Sequence, residues 1–94
     1  MKAKKYKNVF EALEDDKALA ENLKIRAELM HVLRNYIKDK DLTQTEAAGL
    51  FGVSQPRVSD LTTGKIDKFT IDMLITMLSS IGKHVDIKII SKAA

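Results

Sequence analysis

The 94-residue chain has no cysteine, no tryptophan, one proline and two histidines. Without cysteine there is neither a disulfide framework nor a thiolate metal site. Two histidines would need carboxylates to complete a zinc shell, so no metal or other cofactor is expected. The longest apolar runs are too short for a membrane span or a signal-peptide core, so a cytoplasmic protein with no membrane partner is expected. No Ser/His/Asp constellation, phosphate-cradling glycine loop or catalytic carboxylate pair is present, and no enzyme activity is predicted. His31 and His84 read as surface or packing residues, and Met30, Met73 and Met77 as core filler.

Hydrophobic residues make up 45% and charged residues 31% of the chain, the composition of one small globular domain. The net charge is +3. Lys2, Lys4, Lys5 and Lys7 supply four of the 16 basic residues, leaving 12 against 13 acidic ones in the remainder. The basicity therefore belongs to a tail. Residues 1–8 read as a flexible basic arm and 9–94 as a single domain.

Leu23, Ala27, Met30, Leu33 and Ile37 recur at spacings of three and four, predicting a long helix from about Asp16 to Lys38 with one buried stripe. Thr43 followed by Glu46 is a capping box, so a short helix starts at Gln44. Gly52 stops it, Ser54 caps the next helix, and Pro56 sits in that helix's first turn, where its missing N–H has no intrahelical partner to lose. Gly64 ends it. Ala47, Leu50 and Phe51 are expected to face inward from the first of the pair, and Val58 and Leu61 from the second. Two short helices joined by a glycine turn make a helix-turn-helix over 43–63. Residues 65–69 read as a loop. Thr70 caps a last helix with Ile71, Leu74, Ile75, Leu78 and Ile81 on its apolar face, closed by Gly82. Residues 84–90 alternate with period two and predict a strand. The fold class is thus mainly α, four to five helices with a C-terminal β-strand.

The second helix of the pair exposes Gln55, Arg57, Ser59, Asp60, Thr62 and Thr63, short hydrogen-bonding groups with a single long cation. Such a face suits the reading of base edges in a major groove: glutamine pairs with adenine and arginine with guanine. Gln44 and the N–H groups beside it suit a phosphate. The expected DNA-binding set is Thr43, Gln44, Ser54, Gln55, Pro56, Arg57, Ser59, Asp60, Thr63 and Lys65, on double-stranded DNA with a palindromic operator. One such unit reads few base pairs, so a homodimer is expected. The lone strand offers the means, with Val85, Ile87 and Ile89 buried against a twofold mate. Pairing within the chain, with Tyr6–Phe10, is the other option.

The run Leu42-Thr43-Gln44, Ala47-Ala48, Gly52-Val53-Ser54-Gln55, Val58-Ser59-Asp60-Leu61, Gly64-Lys65 resembles the XRE family, the helix-turn-helix of lambda repressor and Cro. The resemblance covers about residues 24–81. It implies a lambda-repressor-like bundle in which Gln55 reads bases and Gln44 supports it against the backbone. With Val9-Phe10-Glu11-Ala12-Leu13, Leu29-Met30, Phe69-Thr70 and Gly82…Val85-Asp86-Ile87, the chain is further similar to HigA-type antitoxins. That implies a repressor of its own operon, partnered with a small HigB/RelE-like mRNA-cleaving toxin. Val9, Phe10 and Leu13 are the candidate toxin contact. A stand-alone regulator without a toxin, and a protein-interaction module on the same fold, are the alternatives. The family's usual fifth helix is replaced here by the predicted strand.

Overall fold

The structure, a computed structural model, describes residues 16–91. The basic arm, the Val9–Phe10–Leu13 patch and the Tyr6–Phe10 pairing option lie outside the described residues. Four α-helices are present within them: α1 (Lys17–Asp39), α2 (Gln44–Phe51), α3 (Gln55–Thr62) and α4 (Ile71–Ser80), with a 3-10 turn at Ile66–Lys68.

Each helix begins on a side-chain cap, and these caps set its start. Asp16 Oδ1 accepts from the Leu19 N–H at 3.1 Å at the head of α1. Thr70 Oγ1 accepts from the Met73 N–H at 3.3 Å at the head of α4. Each satisfies a first-turn donor that has no intrahelical acceptor. The C-terminus of α1 closes with Asp41 at φ 51°, a left-handed conformation that short polar side chains tolerate. There the Leu42 N–H reaches the Ile37 carbonyl at 3.0 Å and the Asp41 N–H the Lys38 carbonyl at 3.1 Å. This pair of hydrogen bonds satisfies carbonyls the helix would otherwise leave open, and turns the chain into α2.

Helix α1 lies along α4, and the α2–α3 pair packs against both. Leu33, Phe51, Val58, Leu61, Phe69, Leu74 and Met77 are fully buried, so every helix contributes to one core. Burial of a side chain of this size is worth about 1.5–3 kcal/mol. Met30 and Met77 are buried and Met73 packs at the margin of the same cluster, as core filler.

Several expectations need correction. Ala27 is exposed, because the stripe of α1 runs through Leu23, Met30 and Leu33 instead. Leu50 is 45% exposed, because α2 buries Ala47, Ala48 and Phe51 and its fourth apolar residue falls outside that arc. Phe69, placed in a loop, is a core residue. No strand occurs among the described residues. Residues 83–91 follow Gly82 without a ladder partner, so the alternation at 84–90 has no second strand within these residues to make it a sheet.

Candidate nucleic-acid interface

The interface is built on the junction between α2 and α3. At the head of α2, Thr43 Oγ1 accepts from the Glu46 N–H at 3.1 Å, and Glu46 Oε1 accepts from the Thr43 N–H at 2.9 Å. The backbone N–H of Thr43, with its hydroxyl second, holds the Glu46 carboxyl below its ordinary range. The Ala47 N–H is taken by the Thr43 carbonyl at 2.9 Å. That leaves the N–H groups of Gln44 and Thr45 without an intrahelical acceptor, at the positive end of the helix. Both side chains are exposed. This corner can hold a phosphate oxygen through backbone donors and the Gln44 amide.

Gly52 adopts φ 70°, and the Val53 N–H closes on the Ala48 carbonyl at 3.1 Å. This left-handed step folds α3 back against α2, on which Ala48 is buried. Ser54 Oγ then accepts from the Arg57 N–H at 3.3 Å. Pro56 has no N–H and Arg57's is taken, so Gln55 carries the one unclaimed donor in that first turn. Gln55 and Pro56 stand exposed at the head of α3, and Ser59 is half-buried one turn later on the same side. Thr62 follows on that side and is exposed.

Arg57 does not join this face. Its Nη1 donates to the Lys68 carbonyl at 2.9 Å and lies 3.6 Å from an Asp60 carboxylate oxygen, while its guanidinium carbon sits 5.7 Å from the centroid of the Phe69 ring. In the free chain Nη1 is thus engaged with the protein's own loop, and the side chain stays 35% exposed. Asp60 is held between Arg57 and Lys65, the latter at 3.9 Å. Thr63 Oγ1 donates to the Ser59 carbonyl at 2.8 Å, which leaves its hydroxyl oxygen as an acceptor. Lys65, in the turn that follows α3, and Lys68, in the 3-10 turn after it, are exposed cations. The structure therefore leaves Gln44 exposed at the head of α2 and Gln55 and Pro56 exposed at the head of α3, uses Thr43 and Ser54 as caps, and turns Arg57 and Asp60 toward each other.

Two participants escape a reading of the sequence. Thr45 is exposed beside Gln44. Arg26, far back on α1, donates from Nη1 to the Phe69 carbonyl at 3.0 Å and the Ile66 carbonyl at 3.3 Å. Arg26 and Arg57 thus both hold carbonyls of the 66–69 loop. No local pattern announces a contact across some forty residues.

Among the described residues no group of three or more potential metal ligands occurs, and no helix is long and apolar enough to cross a membrane. His31 Nε2 lies 3.1 Å from the Asn35 amide nitrogen, and His84 faces the exposed Asp86 at 3.6 Å.

The model of a family described as a helix-turn-helix domain matches residues 12–90. A solved structure described as an XRE family transcriptional regulator is 33% identical, with 78% of this chain and 82% of that chain covered and a TM-score of 0.72. No curated protein matches the chain.

Proposed function

The chain belongs to the helix-turn-helix family of XRE-type DNA-binding regulators, and on that premise we propose that it is a repressor that reads a palindromic operator as a homodimer. One observation carries the mode of reading. Gln55 stands exposed at the head of α3 with Ser59 behind it, while the only arginine of that helix is folded away. Base discrimination then falls to short hydrogen-bonding groups. Gln44 and the N–H groups of Gln44 and Thr45 take a phosphate, and Lys65 and Lys68 a second one past the end of α3. With few cations at the surface, one unit grips weakly. Two half-sites about 34 Å apart supply the affinity.

The operon it represses is its own, and its second role is that of an antitoxin neutralising a HigB/RelE-like mRNA-cleaving toxin. This part rests on the resemblance of the chain to HigA-type antitoxins, with Val9, Phe10 and Leu13 as the toxin contact. Footprinting on the chain's own promoter should show two protected major-groove segments one helical turn apart. Uniform protection that vanishes with modest salt would overturn sequence reading. Coexpression with the adjacent gene tests the antitoxin role separately: the neighbour alone should arrest growth and cleave mRNA, and this chain should relieve both. A harmless neighbour removes the antitoxin role and leaves the repressor intact.

A further inference from the structure

A shallow groove of about 390 Å³ runs between α1 and α4, walled by Ile25, Glu28, Leu29, Ile71 and Ile75 and closed along one side by the whole run from Val85 to Lys88. Val85 packs against the margin of the core. Ile87 is 71% exposed and Ile89 88% exposed. Val85, Ile87 and Ile89 share one parity, and Asp86 and Lys88 the other, with His84 and the exposed Ile90 at its ends. In an extended ladder that pattern puts Val85, Ile87 and Ile89 on one face and Asp86 and Lys88 on the other. Ile89 then lies on the same apolar side two residues beyond Ile87, and is not among the residues that wall the groove.

We propose that a second copy of this chain pairs antiparallel with residues 84–90 about a twofold axis at Ile87. The inference rests on the dimer reading above and adds its register. In a symmetric antiparallel pair the numbers of directly opposed residues have a constant sum, and opposed side chains share a face. An odd sum would set the apolar side of one copy against the charged side of the other. The even sums that keep the segment paired centre the axis on Asp86, Ile87 or Lys88. A centre at Asp86 opposes that carboxylate to its own copy, and a centre at Lys88 does the same with the ammonium. Like charges directly opposed destabilise a ladder, whereas opposite charges support it. At Ile87 both conditions are met at once. Asp86 faces Lys88 of the partner subunit, twice by symmetry. Ile87 faces its own copy. Val85 faces Ile89 of the partner subunit, which places each exposed Ile89 beside the other copy's groove. The pairing also gives the backbone of 84–90 the ladder partner it lacks among the described residues.

The absence of cysteine makes the register directly testable in the full chain. Single thiols are introduced as Asp86→Cys, Ile87→Cys and Lys88→Cys, and air oxidation is followed on non-reducing gels. A residue on the axis meets its own copy at a Cα separation of about 4.5–5.5 Å, within disulfide reach, so Ile87→Cys should cross-link fastest. Charge reversal gives an independent reading by sedimentation. Asp86→Lys and Lys88→Asp should each weaken the dimer about fivefold or more, and the double reversal should restore it. Fastest linkage at 86 or 88, or reversals without effect, overturns the register while the dimer stands. A chain that sediments as a monomer at every concentration, as it would if its own N-terminal residues filled the groove, overturns register and dimer together. Footprinting on a single half-site still tests the DNA reading in that case.

Discussion

The guanidinium of Arg57 lies 5.7 Å from the centroid of the Phe69 ring while its Nη1 holds the Lys68 carbonyl at 2.9 Å. One side chain thereby joins the recognition helix to the loop that carries Lys65 and Lys68. A half-exposed cation over an aromatic face is worth about 0.5–1 kcal/mol, and a charged donor to a carbonyl about 1.5–3 kcal/mol. The ion pair with Asp60 adds little at this exposure. Arg57→Ala should therefore lower stability by roughly 1–3 kcal/mol in urea unfolding without DNA. Arg57→Lys should recover only part of it, because the ammonium lacks the planar fork. Operator affinity should fall by a similar factor for every base variant. A loss confined to one guanine position would instead make Arg57 a base reader.

Gln55→Ala should behave in the opposite way. The side chain is exposed and holds nothing in the fold, so the unfolding midpoint should stay within about 0.5 kcal/mol of the parent. Binding should lose about 1–3 kcal/mol at a single base position, with relaxed preference there. A panel of operators substituted one pair at a time separates the cases. A uniform loss across the panel would make Gln55 a backbone contact.

What could be read from the chain follows the range of the interactions involved. The starts of α1, α2, α3 and α4 are written in caps that act over three residues, at Asp16, Thr43, Ser54 and Thr70. Gly52 is equally local. The heads of α2 and α3 were therefore within reach, with Gln44 and Gln55 exposed as the first residues of those helices. Leu50 was not, since an eight-residue helix with four apolar positions around its arc leaves the inward face to tertiary packing. Phe69 sits between helices and carries no periodicity; it is buried in a core gathered from every helix and touched by Arg26 and Arg57, which no local pattern announces. The strand at 84–90 shows the same limit from the other side. Alternation gives the faces, but a ladder needs a partner, and that partner is not part of the segment.

Two glycines three residues apart should respond with opposite signs. Gly49 lies in α2 with a helical backbone and nothing within 4 Å of an added Cβ. Gly49→Ala should stabilise by about 0.5–1 kcal/mol, through reduced freedom of the unfolded chain and better helix propensity. Gly52 has φ 70°, and an added Cβ there would meet only Ser80 Oγ, at 3.9 Å. Space is adequate, so the cost of Gly52→Ala is the left-handed backbone itself, about 1–2 kcal/mol. Thermal unfolding of the two variants beside the parent reads both signs. Equal shifts in one direction would mean that the turn is not held in the left-handed region in solution.

The capping box at Thr43 and Glu46 makes part of the stability depend on pH. The Thr43 backbone N–H, and secondly its hydroxyl, lower the Glu46 pKa from its ordinary value of 4.5. A carboxyl whose folded pKa is depressed adds stability above the unfolded value, and loses it as pH falls through the folded one. The Asp72 carboxyl, lowered from 3.8 chiefly by the Thr70 side chain, acts with the same sign at the head of α4. Urea midpoints should therefore hold steady down to about pH 5 and decline below it. Glu46→Gln keeps an oxygen for the Thr43 N–H but has no charge at the helix start, so it should be less stable than the parent at neutral pH. Its curve should lack the Glu46 share of the acid decline, and the two should converge once the pH has fallen below the lowered Glu46 value. Parallel curves for parent and variant across that range would mean that the Glu46 carboxylate is not bound to Thr43 in solution.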